Sequence, residues 1–176
     1  MISIIISSKN ESDLKRCTQN IQETIGVPYE LIITKNSEGR MPLTRVYNDG
    51  AQRARHEILC FLHEDIEFKK KNWGKKLINL LSDKSVGIVG VVGSTYFPEN
   101  GAWASPGVPF LKGRIIHISK NIDMDQLDLF SEETGDLEVV TIDGVFIAAR
   151  KDIVQECPFD DKIFDGFHFY DADFCI

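Results

Sequence analysis

The chain has 176 residues, 43% hydrophobic and 27% charged, with a formal net charge of −7 and a pI of about 5.1. That length suits one domain with a real core, and the composition is globular rather than disordered. The acidic balance argues against a nucleic-acid-binding surface, which normally needs a basic face, and it requires local cations or a metal ion wherever an anionic ligand is to be held.

Cys17, Cys60, Cys157 and Cys175 are far apart and form no C-x-x-C pair. Neither a zinc site nor a disulfide framework is indicated, and a reducing, cytoplasmic setting is expected. The apolar opening, residues 1–6, is too short for a signal peptide, and no stretch is long enough to span a membrane. Peripheral association with the inner face of a membrane is left open.

Residues 2–6, rich in isoleucine, read as a strand that ends at Ser7-Ser8-Lys9. Asn10 is placed to cap a helix, with Asp13 three residues on. Leu14, Cys17, Ile21 and Thr24 follow at helical spacing, and Gly26 closes that helix. A second strand runs over 29–34 into the polar loop 35–40. A second helix is expected over about 43–56, with Leu43, Val46, Tyr47, Gly50, Ala51 and Ala54 inward. The apolar run 58–62 is short enough for a buried strand. A third helix over 72–81, with Trp73, Leu77 and Leu80 inward, and a strand over 85–92 complete the first half.

Strand and helix thus alternate three times before a further strand, which predicts an α/β fold with a mostly parallel sheet and right-handed crossovers. Ligands bind outside the carboxyl ends of such strands. Three loops leave those ends: Ser7 to Lys9, Thr34 to Asn36, and His63-Glu64-Asp65. An imidazole and two carboxylates at one strand end suit a divalent cation, and a cation suits a diphosphate; a solvated acidic turn is the plainer alternative.

After Gly93 the texture changes. Residues 98–113 are rich in Gly and Pro, 114–118 read as a short strand, and 121–136 as an acidic surface loop bearing Asp123, Asp125, Asp128, Glu132, Glu133 and Asp136. Strands are expected over 137–142 and 145–149 around Asp143-Gly144, and a short helix over 151–156. The apolar pattern is still running at Ile176, which predicts a native chain that continues beyond it.

Several chemistries lack their signatures. The G-x-x-G-x-x-G of Gly87 to Gly93 lies within a strand, not on a strand-to-helix turn, so it reads as close packing rather than a dinucleotide fingerprint. No P-loop and no G-x-S-x-G occurs. Lys35, Arg40 and Arg45 are cations near the expected cleft and suit phosphate oxygens, or else are solvated loop charges. Asn48 either bonds a ligand or faces water. Near the end, Asp171 and Asp173, with His168 three residues before Asp171, read either as a metal site or as acidic residues at a helix start, the preferred reading for Asp173, while Asp171 can instead serve as a general base.

Taken together, the segments resemble family-2 glycosyltransferases of the GT-A fold. I-S-I-I-I-S-S-K-N-E over Ile2 to Glu11 is similar to their first strand and turn, and Glu30 to Asn36 to their second strand. Arg45 to Ala54 is similar to their Asn-bearing helix. Phe61-Leu62-His63-Glu64-Asp65 resembles their D-x-D metal motif with His63 at the first acidic place, a divergent HED form. Asp143 to Arg150 resembles the acceptor-side strand, and Tyr170-Asp171-Ala172-Asp173 the E-D-x-D stretch whose first Asp is the base.

The resemblance implies one GT-A (Rossmann-like) domain, with a donor-binding half over 1–93 and a smaller, antiparallel acceptor-side half over 94–176. It implies an inverting glycosyltransferase that moves a sugar from a nucleotide-diphospho-sugar donor to a carbohydrate or lipid-linked acceptor hydroxyl, in polysaccharide biosynthesis. Ser7, Ser8, Glu11, Asn36, Arg45 and Asn48 would meet the donor, and His63, Glu64 and Asp65 would hold Mn²⁺ or Mg²⁺. Asp171 would take the acceptor proton. No nucleic-acid partner is expected. The alternatives are a non-catalytic sugar-nucleotide or carbohydrate-binding module on the same fold and, third, a nucleotidyltransferase, whose glycine-rich first loop is lacking here.

Overall fold

A computed structural model describes residues 1–118, 126–131, 133 and 135–176. Its organising element is β1 (Ile2–Ser8), in which Ile2, Ile4, Ile5 and Ile6 are wholly buried. Side chains alternate across a strand, so Ile2, Ile4 and Ile6 enter one core and Ile5 the other. Burial of each isoleucine contributes roughly 1.5–3 kcal/mol, which fixes β1 in the middle of a two-faced sheet.

Then follow α1 (Glu11–Thr24), β2 (Tyr29–Lys35), α2 (Leu43–Arg53), β3 (Ile58–His63) and α3 (Trp73–Ser82). Asn10 caps α1 as expected, its Oδ1 accepting the Ser12 amide at 2.9 Å. β2 and β3 both pair parallel with β1. Helix α2 lies against the Ile5 face because Gly50 lets it approach; a Cβ there would sit 3.1 Å from Ile5 Cγ1. Cys17 and Ile21 of α1 and Leu77 and Leu81 of α3 fill the opposite core. Leu81 rather than Leu80 is the inward residue at the end of α3, and α2 stops at Arg53 rather than His56.

The strand expected over 85–92 is two strands, β4 (Ile88–Gly90) and β5 (Val92–Ser94), with Val91 exposed between them. They belong to different sheets. Gly90 packs under Ile142, where a Cβ would meet the Ile142 Cβ at 2.8 Å, so the packing role expected of these glycines holds there. β6 (Leu111–His117), β7 (Gln126–Leu129) and β8 (Thr141–Ile142) join β5 in a small antiparallel sheet ordered β7-β6-β5-β8. β7 replaces part of the expected acidic loop, and β8 is shorter than the strand expected over 137–142. Asp123, Asp125 and Glu132 lie outside the described residues.

β9 (Phe146–Arg150) returns to the main sheet and inserts antiparallel between β3 and β4, giving the order β2-β1-β3-β9-β4. The main sheet is therefore mixed but mostly parallel. After α4 (Lys151–Glu156), the chain reaches the five-residue helix α5 (Tyr170–Phe174). Tyr170 and Phe174 join Tyr47, Phe61 and Phe159 in an aromatic cluster, with Phe159 stacked on Phe174 at a centroid distance of 4.3 Å. That cluster anchors α5 to the sheet although α5 is far too short to be stable alone.

Candidate active site

A cleft of about 560 Å³ opens at the carboxyl ends of β1 and β3, beside the start of β9 and of α5. Ser7, His63, Glu64, Asp65, Asp143 and Asp171 line it, with Trp103 and Phe167 among its aromatic walls. Parallel pairing places Ser7 directly beside His63. The side chain of Ser7 ends in a buried hydroxyl with no hydrogen-bond partner among the described residues.

The three residues of the HED turn behave differently. Glu64 reaches back to the first turn of the fold, where its Oε1 accepts the backbone N–H groups of Lys9 at 2.8 Å and Asn10 at 3.0 Å. It thus takes the place that a capping-box acid at Asp13 would have held. Its Oε2 is buried without a hydrogen-bond partner among the described residues. Asp65 is exposed in the cleft and makes no hydrogen bond or ion pair among the described residues. His63 turns towards α5, with Nε2 3.4 Å from the Tyr170 hydroxyl.

No three His, Cys, Asp or Glu side chains among the described residues are grouped to cage a metal ion. Mg²⁺-type sites do not need such a cage, because they are completed by one or two carboxylates with substrate phosphates and water. Asp65 and the unpartnered Oε2 of Glu64 fit that donor set; His63, directed at Tyr170, fits it less well.

In the same cleft, Asp171 sits at the start of α5. Its Oδ2 accepts the Gly144 N–H at 2.8 Å, and its Oδ1 accepts the Ala172 N–H at 3.0 Å. Burial raises its pKa above the usual carboxylate value, and the neighbouring Asp143 charge adds to the rise against the lowering effect of those amides. Gly144 makes the approach possible, since a Cβ there would sit 2.7 Å from Tyr170 Cζ and 3.2 Å from Asp171 Oδ2. The Tyr170 hydroxyl donates to the Gly144 carbonyl at 3.2 Å, and burial pushes its pKa well above the ordinary tyrosine range. Asp143 holds the cleft wall: its Oδ2 accepts Trp103 Nε1–H at 2.5 Å and its Oδ1 accepts the Val145 N–H at 2.7 Å. The cleft thus brings a carboxylate of raised pKa, Asp171, together with the carboxylates of Glu64 and Asp65.

A glycosyltransferase-like family model matches residues 3–176. The chain belongs to the glycosyltransferase-like family. Membership gives it a role in glycosyl transfer in general terms, and the mixed sheet with flanking helices and a separate small antiparallel sheet is consistent with the GT-A fold. Among solved structures, the crystal structure of A197 from STIV is similar in fold: it is 12% identical, with a TM-score of 0.51 over 98% of this chain and 77% of that one. A search of curated proteins returns no match.

Within this glycosyltransferase-family chain, five of the residues expected at the donor lie off the cleft lining. Ser8 is buried, and its carbonyl accepts the Asn36 N–H at 2.7 Å. The Asn36 side chain closes the following loop by bonding both the carbonyl of Met41, at 2.8 Å, and its amide, at 3.1 Å. Asn48 does the same for Phe159, at 2.8 and 3.1 Å. Glu11 is exposed and pairs with Lys35 at 3.5 Å. Arg45 is exposed on α2, and Arg40 pairs with Glu38.

Among the described residues the expected cations are therefore absent from the cleft lining, where the one lysine is Lys9, packed 3.7 Å over the Phe167 ring. Asp13, Glu64, Asp65, Asp143 and Asp171 outnumber it. Asp13 is partly offset by Arg16 at 3.0 Å. Trp103 and Tyr170 were not legible as site residues. The one sequence cue to the first was an aromatic side chain embedded in a Gly/Pro-rich loop.

Proposed function

We infer that the protein is an inverting glycosyltransferase that uses a nucleotide-diphospho-sugar, with Asp171 as general base and the HED turn as the site of a divalent cation. The observation that carries this reading is that Asp171 and Asp65, distant in sequence, line one cleft. An acceptor hydroxyl would attack the anomeric carbon as the bond to the diphosphate oxygen breaks. Its proton would pass to Asp171, and the nucleoside diphosphate would leave. Burial of Asp171 supports the role, because a raised pKa makes the carboxylate a better proton acceptor.

The acidic lining makes a cation necessary for a diphosphate to enter. Asp65, with Glu64 Oε2, would hold Mn²⁺ or Mg²⁺. An ion bound there would supply positive charge to neutralise the leaving diphosphate. Ser7, with its unpartnered hydroxyl, would meet the donor. Glu64 Oε1 keeps the turn after β1 in place by holding the Lys9 and Asn10 amides. Trp103, held by Asp143, would wall the acceptor side.

Calorimetric titration of a nucleoside diphosphate with and without Mn²⁺ tests the cation. Binding should need the metal in the unaltered protein, and Asp65→Ala should lose that dependence. Equal, metal-dependent affinity in the variant would leave the HED turn as a surface loop.

A further inference from the structure

The most strongly basic stretch of the chain takes no part in the cleft. Residues 67–76 carry Lys69, Lys70, Lys71, Lys75 and Lys76 against a single carboxylate, Glu67, a net +4 in a chain of net −7. All five lysines are exposed. Lys69 pairs with Glu67 at 3.5 Å and Lys76 with Asp136 at 2.5 Å, while Lys70, Lys71 and Lys75 make no ion pair among the described residues.

The turn that bears them is fixed from beneath. Phe68 stacks on Trp73 with ring centroids 4.1 Å apart. Asn20 accepts the Phe68 N–H at 2.7 Å and donates to its carbonyl at 3.3 Å. Trp73 Nε1–H donates to the Thr24 hydroxyl at 3.0 Å. The lysines therefore stand on a rigid turn that leads into the first turn of α3.

That placement works against α3. Cations at a helix N-terminus oppose the macrodipole. α3 has no acidic residue in its first turn and no side-chain cap. Lysines that weaken the helix they precede, on an otherwise acidic protein, fit an anionic partner.

We propose that this lysine turn docks the protein on an anionic phospholipid surface. A bilayer is a plane and meets one face only, so the acidic remainder of the molecule is directed away from it. A nucleic acid offers similar phosphates, but an acidic protein repels a polyanion that extends past the patch, and the turn has no exposed ring on which bases stack, since Trp73 is half-buried against Phe68. The turn begins four residues after Asp65. Docking would thus keep the end of β3 near the lipid, where a lipid-linked acceptor would be met. This consequence rests on the transferase reading; the docking does not.

Sedimentation of the full chain with vesicles tests it, using phosphatidylcholine alone or mixed with phosphatidylglycerol. Each lysine near an anionic bilayer is worth about five-fold in affinity. The protein should bind only the phosphatidylglycerol vesicles and come off as salt rises to about 1 M, where the screening length falls to about 3 Å. The triple variant Lys70→Gln, Lys71→Gln, Lys75→Gln should bind about 100-fold more weakly with no fall in Tm. Equal binding to phosphatidylcholine, no binding to either vesicle, or unchanged binding by the triple variant would overturn the proposal. Tighter, patch-dependent binding to a DNA duplex would overturn it too and assign the lysines to nucleic acid. No sugar donor or acceptor is used, so the outcome is separate from any failure of sugar transfer.

Discussion

Gly144 and Asp171 form the smallest unit on which the proposed chemistry depends. The glycine amide holds one carboxylate oxygen, and the missing side chain leaves room for Tyr170. Gly144→Ala should therefore displace both residues, lowering kcat by at least about ten-fold while nucleotide binding stays near normal, a split that steady-state kinetics beside calorimetry would show. Because the Asp171 pKa is raised, the proposed base would still be protonated at pH values where an ordinary aspartate is already ionised. The acid limb of the pH–kcat profile should lie above the usual carboxylate range; a limb within that range would mean that another group takes the proton. The cleft position of Asp171 was legible from its neighbours in the chain. Asn36 and Asn48 were not, because a polar residue at the edge of an element reads alike whether it meets a ligand or satisfies a backbone amide and carbonyl, as both do here.

The helices and strands that hold this unit show which patterns carry information. The cap at Asn10 and the first three strands follow from local chemistry, namely an amide acceptor before an amphipathic run and short isoleucine-rich segments. Asn10→Ala should cost about 1 kcal/mol in chemical denaturation, and no change would mean that Glu64 alone secures the turn. Partner choice is not a local property. Nothing in the sequence of β9 says that it inserts antiparallel between β3 and β4, and nothing in 85–92 says that the chain changes sheets at Val91. The aromatic cluster under α5 is equally non-local. Phe159 touches Tyr47, Phe61, Tyr170 and Phe174, so Phe159→Ala should cost about 3–5 kcal/mol in the same measurement and loosen Asp171 with it.

For the molecule as a whole, the end of the sheet opposite the cleft contributes to its response to acid. Glu30 joins β2 to β1 and to the loop before β3: its Oε1 accepts from the Ser3 hydroxyl at 2.7 Å and from the Arg55 N–H at 2.8 Å. The Ser3 hydrogen bond, then the Arg55 amide and guanidinium, lower its pKa to about 2. A lowered folded-state pKa contributes stability that is present above the ordinary glutamate value and lost as pH falls towards about 2. Thermal melts of Glu30→Gln should accordingly show a lower Tm at neutral pH and a flatter decline below about pH 4.5. At the other end of the same sheet, the proposed cation site at Glu64 and Asp65 and the proposed base, Asp171, line one cleft, and sugar transfer would need both. The most direct test is sugar transfer by Asp171→Asn, measured beside donor binding in the same preparation. Transfer should be slowed about 10²–10⁴-fold with donor affinity unchanged, since the proposed base would meet the acceptor and not the donor. Near-normal transfer by Asp171→Asn would contradict that assignment.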